Sequence, residues 1–312
     1  MTGDQNKADF KAFYGRLVKQ HARYAGLAAT GVLVAFALLG YNSKPVPALL
    51  LGAVSLLLIL ILHRHYTRDH RRRLATIGQP FPAAWQQSLE NNSEFYLHLG
   101  AEDKNIFNQR VQFFLAEKKI EGISTEVDDE IRLLVAASAI IPTFAFPFFE
   151  YPNLNQVLIY PNSFDHSFQT ARYAGHEQDI AGMVGNGFLN GNLLLSKPDL
   201  VNGFKGRSLQ NVGIHEFVHL LDMADGAVDG LPEIFLSHAY ALPWLQVIQA
   251  EVQKIRQGES DINPYGLTNN AEFLAVVSEY FFDDPAKLEA AHPELYHFLC
   301  AIFHQLPDRK RK

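Results

Sequence analysis

A single cysteine, Cys300, stands in the 312 residues, so no intrachain disulfide can form and a thiolate-rich metal site is excluded. The near-absence of thiols agrees with a reducing cytoplasm. Internal repeats and low-complexity tracts are also missing, so nothing points to a repeat array. The glycines at 182, 185, 187 and 191 match neither the dinucleotide nor the P-loop spacing, and they read as turn glycines. The most telling absence is of charge: Tyr24 to Tyr41 and Val46 to Leu62 hold no Asp, Glu, Lys or Arg. Each run approaches the roughly 20 residues that cross a bilayer, and neither shows a polar face. Parted only by a short polar link, they predict a two-helix transmembrane hairpin with spans at about 24–41 and 46–62.

Basic residues flank that hairpin. Lys7, Lys11, Arg16, Lys19 and Arg23 precede the first span, Arg64, Arg68, Arg71, Arg72 and Arg73 follow the second, and only Lys44 lies between. Lys and Arg accumulate on the cytoplasmic side, so the expectation is a multi-pass protein of the cell (inner) membrane with both termini cytoplasmic. Residues 1–73 hold 11 Lys and Arg against 3 Asp and Glu, so of the overall −6 the remainder carries −14. An acidic soluble part makes nucleic acid a poor partner. The division expected is therefore 1–73, tail and hairpin, and 74–312, a soluble domain.

That domain reads as α+β, mainly helical with a small sheet. Helical spacing of apolar residues runs through "FPAAWQQSLENNSEFYLHL", "EDKNIFNQRVQFFLAEKKIEG" and "DDEIRLLVAASAIIPTFAF", the last ending by Pro142. "QVLIYPNSF" is β-rich, and Asn190-Gly191 between apolar flanks signals a tight hairpin. Helices resume after Gly206. Ser208 is expected to cap one that continues to about Ala224 and closes at Gly226, and three more lie further on.

The stretch "NVGIHEFVHLLDMADG" places His215 and His219 one helical turn apart on one face, where two imidazoles can converge on a single ion. Zinc takes imidazole nitrogen readily, and a catalytic site keeps three protein ligands with a fourth position for water. Glu216 then stands in the position of general base. Asp222, on the same face, can hold a ligand ring from behind, or simply cap the helix or face solvent. The third ligand should come from Asp225, Glu233, His238, Glu272 or Glu279. Asp225 falls at the helix end, pointing away. Glu272 is favoured, because a carboxylate among Phe273, Leu274, Val276 and Val277 is costly unless it binds something. Glu279, two turns on, is the runner-up ligand or a partner to one. Tyr265, before that helix, can donate its hydroxyl to an oxyanion, or is a packed tyrosine.

Together, "GIHEFVHLLD" and "YGLTNNAEFLAVVSEYFF" resemble the Mlc titration factor A family of zinc metallopeptidases, and the likeness extends upstream through "LLVAASAIIPTF" and "YPNLNQVLIYPNSF". The resemblance implies a zincin-like catalytic domain similar to that of anthrax lethal factor, with one Zn²⁺ per chain on His215, His219 and Glu272. It further implies Glu216 as base, Tyr265 as the transition-state tyrosine, Asp222 as the aspartate that follows the second histidine, and aminopeptidase-like activity on a peptide or protein substrate. The best-known member also binds a transcriptional repressor of sugar uptake. The expectation is thus a membrane-tethered zinc peptidase; the alternative is a binding module that sequesters a transcriptional regulator or another protein at the membrane.

Overall fold

The computed structural model describes residues 3–40, 45–152, 154–163, 182–184, 191–206, 210–232, 235–236 and 238–307. The chain divides into two compact units, Met1–Pro80 and Phe81–Lys312. In the first, α1 (Gly3–Gly40) and α2 (Pro45–Thr76) pack along each other. Contacts of Tyr14 with His70 and Arg73, and of His21 with Tyr66, show that the pair is antiparallel. The apolar runs turn their side chains outward: Leu27, Leu38 and Leu51 are each more than two-thirds exposed. Two spans are expected from sequence. Among the described residues one helix is long and apolar enough to cross a membrane, Leu50–Thr76, whose most apolar 18 residues have a mean hydropathy of 1.5 and are 6% buried.

The second unit opens with α3 (Ala83–Asn92) and α4 (Glu94–His98). A single helix is expected here, but Ser93 breaks it: its backbone is extended and its hydroxyl accepts the Tyr96 N–H, capping the second piece. After α5 (Ala101–Glu117) the chain turns into β1 (Lys119–Gly122), where the sequence suggests only a helix end. Ile120 there is buried, and pairing along β2 decides the conformation. Asp128 caps α6 (Asp129–Ile140), which stops short of Pro142 as expected and is buried along nearly its whole length.

The sheet consists of β1, β2 (Gln156–Tyr160), β4 (Asn192–Ser196) and β3 (Gly182–Val184), in that order across it. The first three are parallel and β3 is antiparallel to β4. The expected β3–β4 hairpin is present. Val184 stands opposite Leu193, a register whose midpoint falls between residues 188 and 189 rather than at Asn190-Gly191. Gly191 has a positive φ of 87°; residues 185–190 lie outside those described.

The remaining elements are helical: α7 (Lys197–Phe204), α8 (Val212–Asp222), α9 (His238–Gln257), α10 (Asn270–Asp283), α11 (Pro285–Ala291) and α12 (Pro293–Phe303). Helix α8 lies against β3, β4, α6 and α10, at the centre of the unit. Phe217 of α8 and Phe273 of α10 are wholly buried, each contributing about 1.5–3 kcal/mol. Gly213 allows α8 to approach α6, since a Cβ there would lie 2.0 Å from the Ser138 hydroxyl.

Candidate metal centre

The histidine helix is set from both ends. Asn211 caps it, its side-chain oxygen accepting the Ile214 N–H at 3.2 Å. Ser208, the expected cap, lies outside the described residues, and the helix begins at Val212. A 3₁₀ turn, Met223–Asp225, prolongs the C-terminal end, and Gly226 closes it at φ 104° with its N–H on Met223 O. Apolar residues fill the buried sides of α8, with Ile214, Phe217, Val218 and Leu221 all but inaccessible. His215 and His219 are left on the remaining face, facing the start of α10.

There the side chains converge. His215 Nε2 and His219 Nε2 are 3.1 Å apart, and Glu272 Oε2 lies 3.0 Å from the first and 3.3 Å from the second. Among the described residues this is the one group of three ligand-type side chains close enough to hold an ion. Metal–ligand bonds of about 2.0–2.1 Å arranged tetrahedrally have ligand–ligand edges of about 3.3–3.4 Å. The three edges here are near that length, and two imidazoles with one carboxylate are the donors zinc prefers, so the residues fit the metal.

Behind the trio, Glu279 takes both available donors. Its Oε1 lies 2.7 Å from His215 Nδ1, and its Oε2 accepts the Asn211 backbone N–H. The carboxylate thereby fixes the ring so that Nε2 faces the centre, and ties it to the helix cap. Of the two roles open to Glu279, ligand or partner, the structure shows contact with the far side of a histidine. Asp222 points to the following loop: its Oδ2 accepts the Gly230 N–H at 2.9 Å, and it bonds neither imidazole. Both Asp222 Oδ1 and His219 Nδ1 are buried without a hydrogen-bond partner. The carboxylate is drawn to the loop because Gly230, at φ 78°, presses against Asn270 O, where a Cβ would come within 2.4 Å, and offers its N–H inward. Trp244 Nε1 donates to Gly230 O at 2.8 Å. Sequence patterns carry no signal for this junction beyond the glycine itself.

The other candidates stand apart. Asp225 is exposed and its Oδ1 accepts the Ala227 N–H; Glu233 and the His238 side chain lie outside what is described. Glu216 is 5% exposed. Burial raises its pKa, opposed by the nearby His215 and His219 and reinforced by Glu272 and Glu279. Burial alone would lower the His215 pKa, but hydrogen bonds to Glu272 and Glu279 and the charge of Glu216 lift it to about 10. Burial works to raise Glu272, and the two histidines outweigh it, holding the carboxyl at about 2. Tyr265, in the 3₁₀ turn Pro264–Leu267, has its ring 6.0 Å from that of His215 and is 43% exposed. Its phenol is raised by burial and by the charges of Glu272, Glu216 and Glu279.

A helical unit with a small mixed sheet and a His–His–Glu cluster defines a metallopeptidase-like class. Residues 66–304 match the family described as Glucose-regulated metallo-peptidase M90, and the chain belongs to that family. Its relatives include the uncharacterized protein slr2042 of Synechocystis sp., 32% identical over 230 residues, which are 71% of this chain and 83% of that one. Mlc titration factor A of Klebsiella pneumoniae is 25% identical over 239 residues, 73% of this chain and 88% of its own length. Mlc titration factor A of Escherichia fergusonii is 29% identical over 205 residues, 62% and 76% of the two chains. A metallopeptidase family implies a bound metal ion, and the ligand-type cluster lies within the matched region.

Proposed function

We propose that this chain is a membrane-tethered zinc peptidase whose catalytic unit faces the cytoplasm, with one zinc on His215, His219 and Glu272. The observation that carries the reading is the convergence of these three ligand atoms beside a buried glutamate. A zinc ion held by His215, His219 and Glu272 would supply a Lewis acid for the scissile carbonyl and would lower the pKa of water to near neutral. Glu216 takes the proton of the attacking water and passes it to the departing amine, a role suited to a buried carboxyl whose proton affinity is raised. The Tyr265 hydroxyl donates to the oxyanion that develops on the attacked carbonyl. Glu279 keeps the His215 ring in register.

The sheet supports a peptide as the substrate. Strand β3 lies at the edge of the described sheet and against α8. Among the described residues no strand pairs with the outer edge of β3, and a free edge beside a hydrolytic centre suits an extended peptide, whose backbone can pair with it. Aminopeptidase-like trimming is the finer expectation. Membrane attachment rests on the apolar, outward-facing side chains of α1 and α2 and on the basic residues flanking the runs.

The test is metal content together with hydrolysis of a peptide mixture by wild type, Glu216→Gln and Glu272→Ala. Wild type should bind one zinc and cleave, Glu216→Gln should bind zinc but cleave about 10²–10⁴-fold more slowly, and Glu272→Ala should lose the metal. Normal turnover by Glu216→Gln would overturn the mechanism. Some relatives are named titration factors; the corresponding reading for this chain is capture of a regulatory protein at the membrane, and it requires capture to be indifferent to Glu216→Gln.

A further inference from the structure

The residues just before Tyr265 hold its turn in place. Asp261 precedes it by four positions and gathers three donors from two later segments and a helix junction. Its Oδ1 lies 2.9 Å from His292 Nε2, and its Oδ2 lies 2.8 Å from both the Tyr280 hydroxyl and Lys287 Nζ. His292, 5% exposed at the α11–α12 junction, has its other ring nitrogen 2.8 Å from Glu251 Oε2 on α9. Lys254 in turn lies 2.6 Å from Glu251 Oε1.

Its place in the chain gives it a consequence for the metal centre. Tyr280 is on α10, the helix that carries Glu272, so the Asp261–Tyr280 bond ties the start of the Tyr265 segment to the ligand helix itself. Between the two, Ile262 is buried and Asn263 accepts the Tyr265 N–H at 3.0 Å. On the far side Thr268 donates to Tyr265 O at 2.8 Å, and Gly266 lies against Phe273, where a Cβ would come within 3.4 Å of Phe273 Cα. The turn is thus fastened to α10 at both ends, while the Tyr265 side chain is half-exposed and makes ring contact with His215.

We propose that Asp261 is a positioning residue: its carboxylate, held by Tyr280, Lys287 and His292, fixes the turn that presents the Tyr265 hydroxyl to the metal centre. The inference rests on the peptidase reading for its catalytic meaning, but the anchoring itself does not. Asp261→Asn keeps the volume and replaces one acceptor oxygen by an amide donor, which must then face Lys287 and Tyr280 or His292.

The experiment combines hydrogen exchange with a double-mutant cycle on the full chain in detergent, using wild type, Asp261→Asn, Tyr265→Phe and the double variant, with zinc content measured in each. In Asp261→Asn, amide exchange across residues 259–268 should rise about tenfold, the scale of one charge-assisted hydrogen bond, with residues 212–222 and zinc content unchanged. The same variant should lose about tenfold in kcat at unchanged KM, and should cost nothing further once Tyr265 is Phe. Lys287→Met, which removes one exposed donor, should show the same pattern at smaller size if Asp261→Asn proves too unstable. Unchanged exchange in 259–268, an unchanged kcat despite faster exchange, or an equal loss in both backgrounds would each overturn the proposal. Should wild type with zinc cleave no peptide, the peptidase reading falls, and the exchange result still decides whether Asp261 anchors the turn.

Discussion

Glu279 divides its carboxylate between a histidine ring and a helix cap, so replacing it tests how far the metal centre depends on residues that do not touch the ion. Glu279→Gln keeps the shape but leaves only one acceptor for His215 Nδ1 and the Asn211 N–H. Zinc affinity should fall about 10–100-fold, measured by competition with a chromogenic chelator. Asp222 offers a test of the opposite sign. Burial lifts its carboxyl from 3.8 to about 6, against the pull of the Gly230 N–H. A raised carboxyl pKa means that ionisation is harder in the folded chain. Stability from this group should therefore fall as pH rises from about 4 to 6 and stay low above that. In the metal-free protein, Asp222→Asn should remove the slope and gain up to about 3 kcal/mol at pH 7; thermal melts in chelator from pH 4 to 8 check both. The histidine and glutamate positions were legible in sequence, because helical spacing and an out-of-place carboxylate are local signals. The direction of the Asp222 side chain was not, since it answers to a glycine eight residues on.

Helix α8 depends on its neighbours for more than burial. Gly213→Ala should gain up to about 1 kcal/mol in helix propensity, yet its Cβ meets Ser138 Oγ at 2.0 Å and Leu200 Cδ1 at 2.9 Å. Overpacking of this kind costs about 1–3 kcal/mol, so urea unfolding should show a net loss, and adding Ser138→Gly should recover most of it. Element boundaries show where sequence patterns stop. Helix α6 and helix α10 stand close to their expected places because caps and apolar periodicity lie within them. Strand β1 carries no sequence signal, because four residues, "KIEG", become a strand only through pairing with β2, and α11 is too short for its periodicity to show.

At the scale of the molecule, the division into Met1–Pro80 and Phe81–Lys312 predicts that residues 81–312 fold alone. That fragment should remain in the supernatant after ultracentrifugation and unfold with the same midpoint as the full chain, whereas the full chain should stay in carbonate-washed membranes. The lone cysteine makes topology measurable. In a Cys300→Ser background, a cysteine at Asn42 should react with a membrane-impermeant maleimide from outside intact cells, and one at Thr2 should not. By itself the sequence determined the two apolar runs, the charge asymmetry around them, the mainly helical class and the pairing of two histidines with a nearby glutamate. Each of these is written in residues close together along the chain. Only the tertiary structure decided that Glu272 meets both imidazoles, that Glu279 stands behind His215, that Asp222 turns to Gly230 and that Asp261 gathers three distant donors. Such contacts join residues up to 64 positions apart, and packing of α8 against α10, rather than any local periodicity, sets their distances.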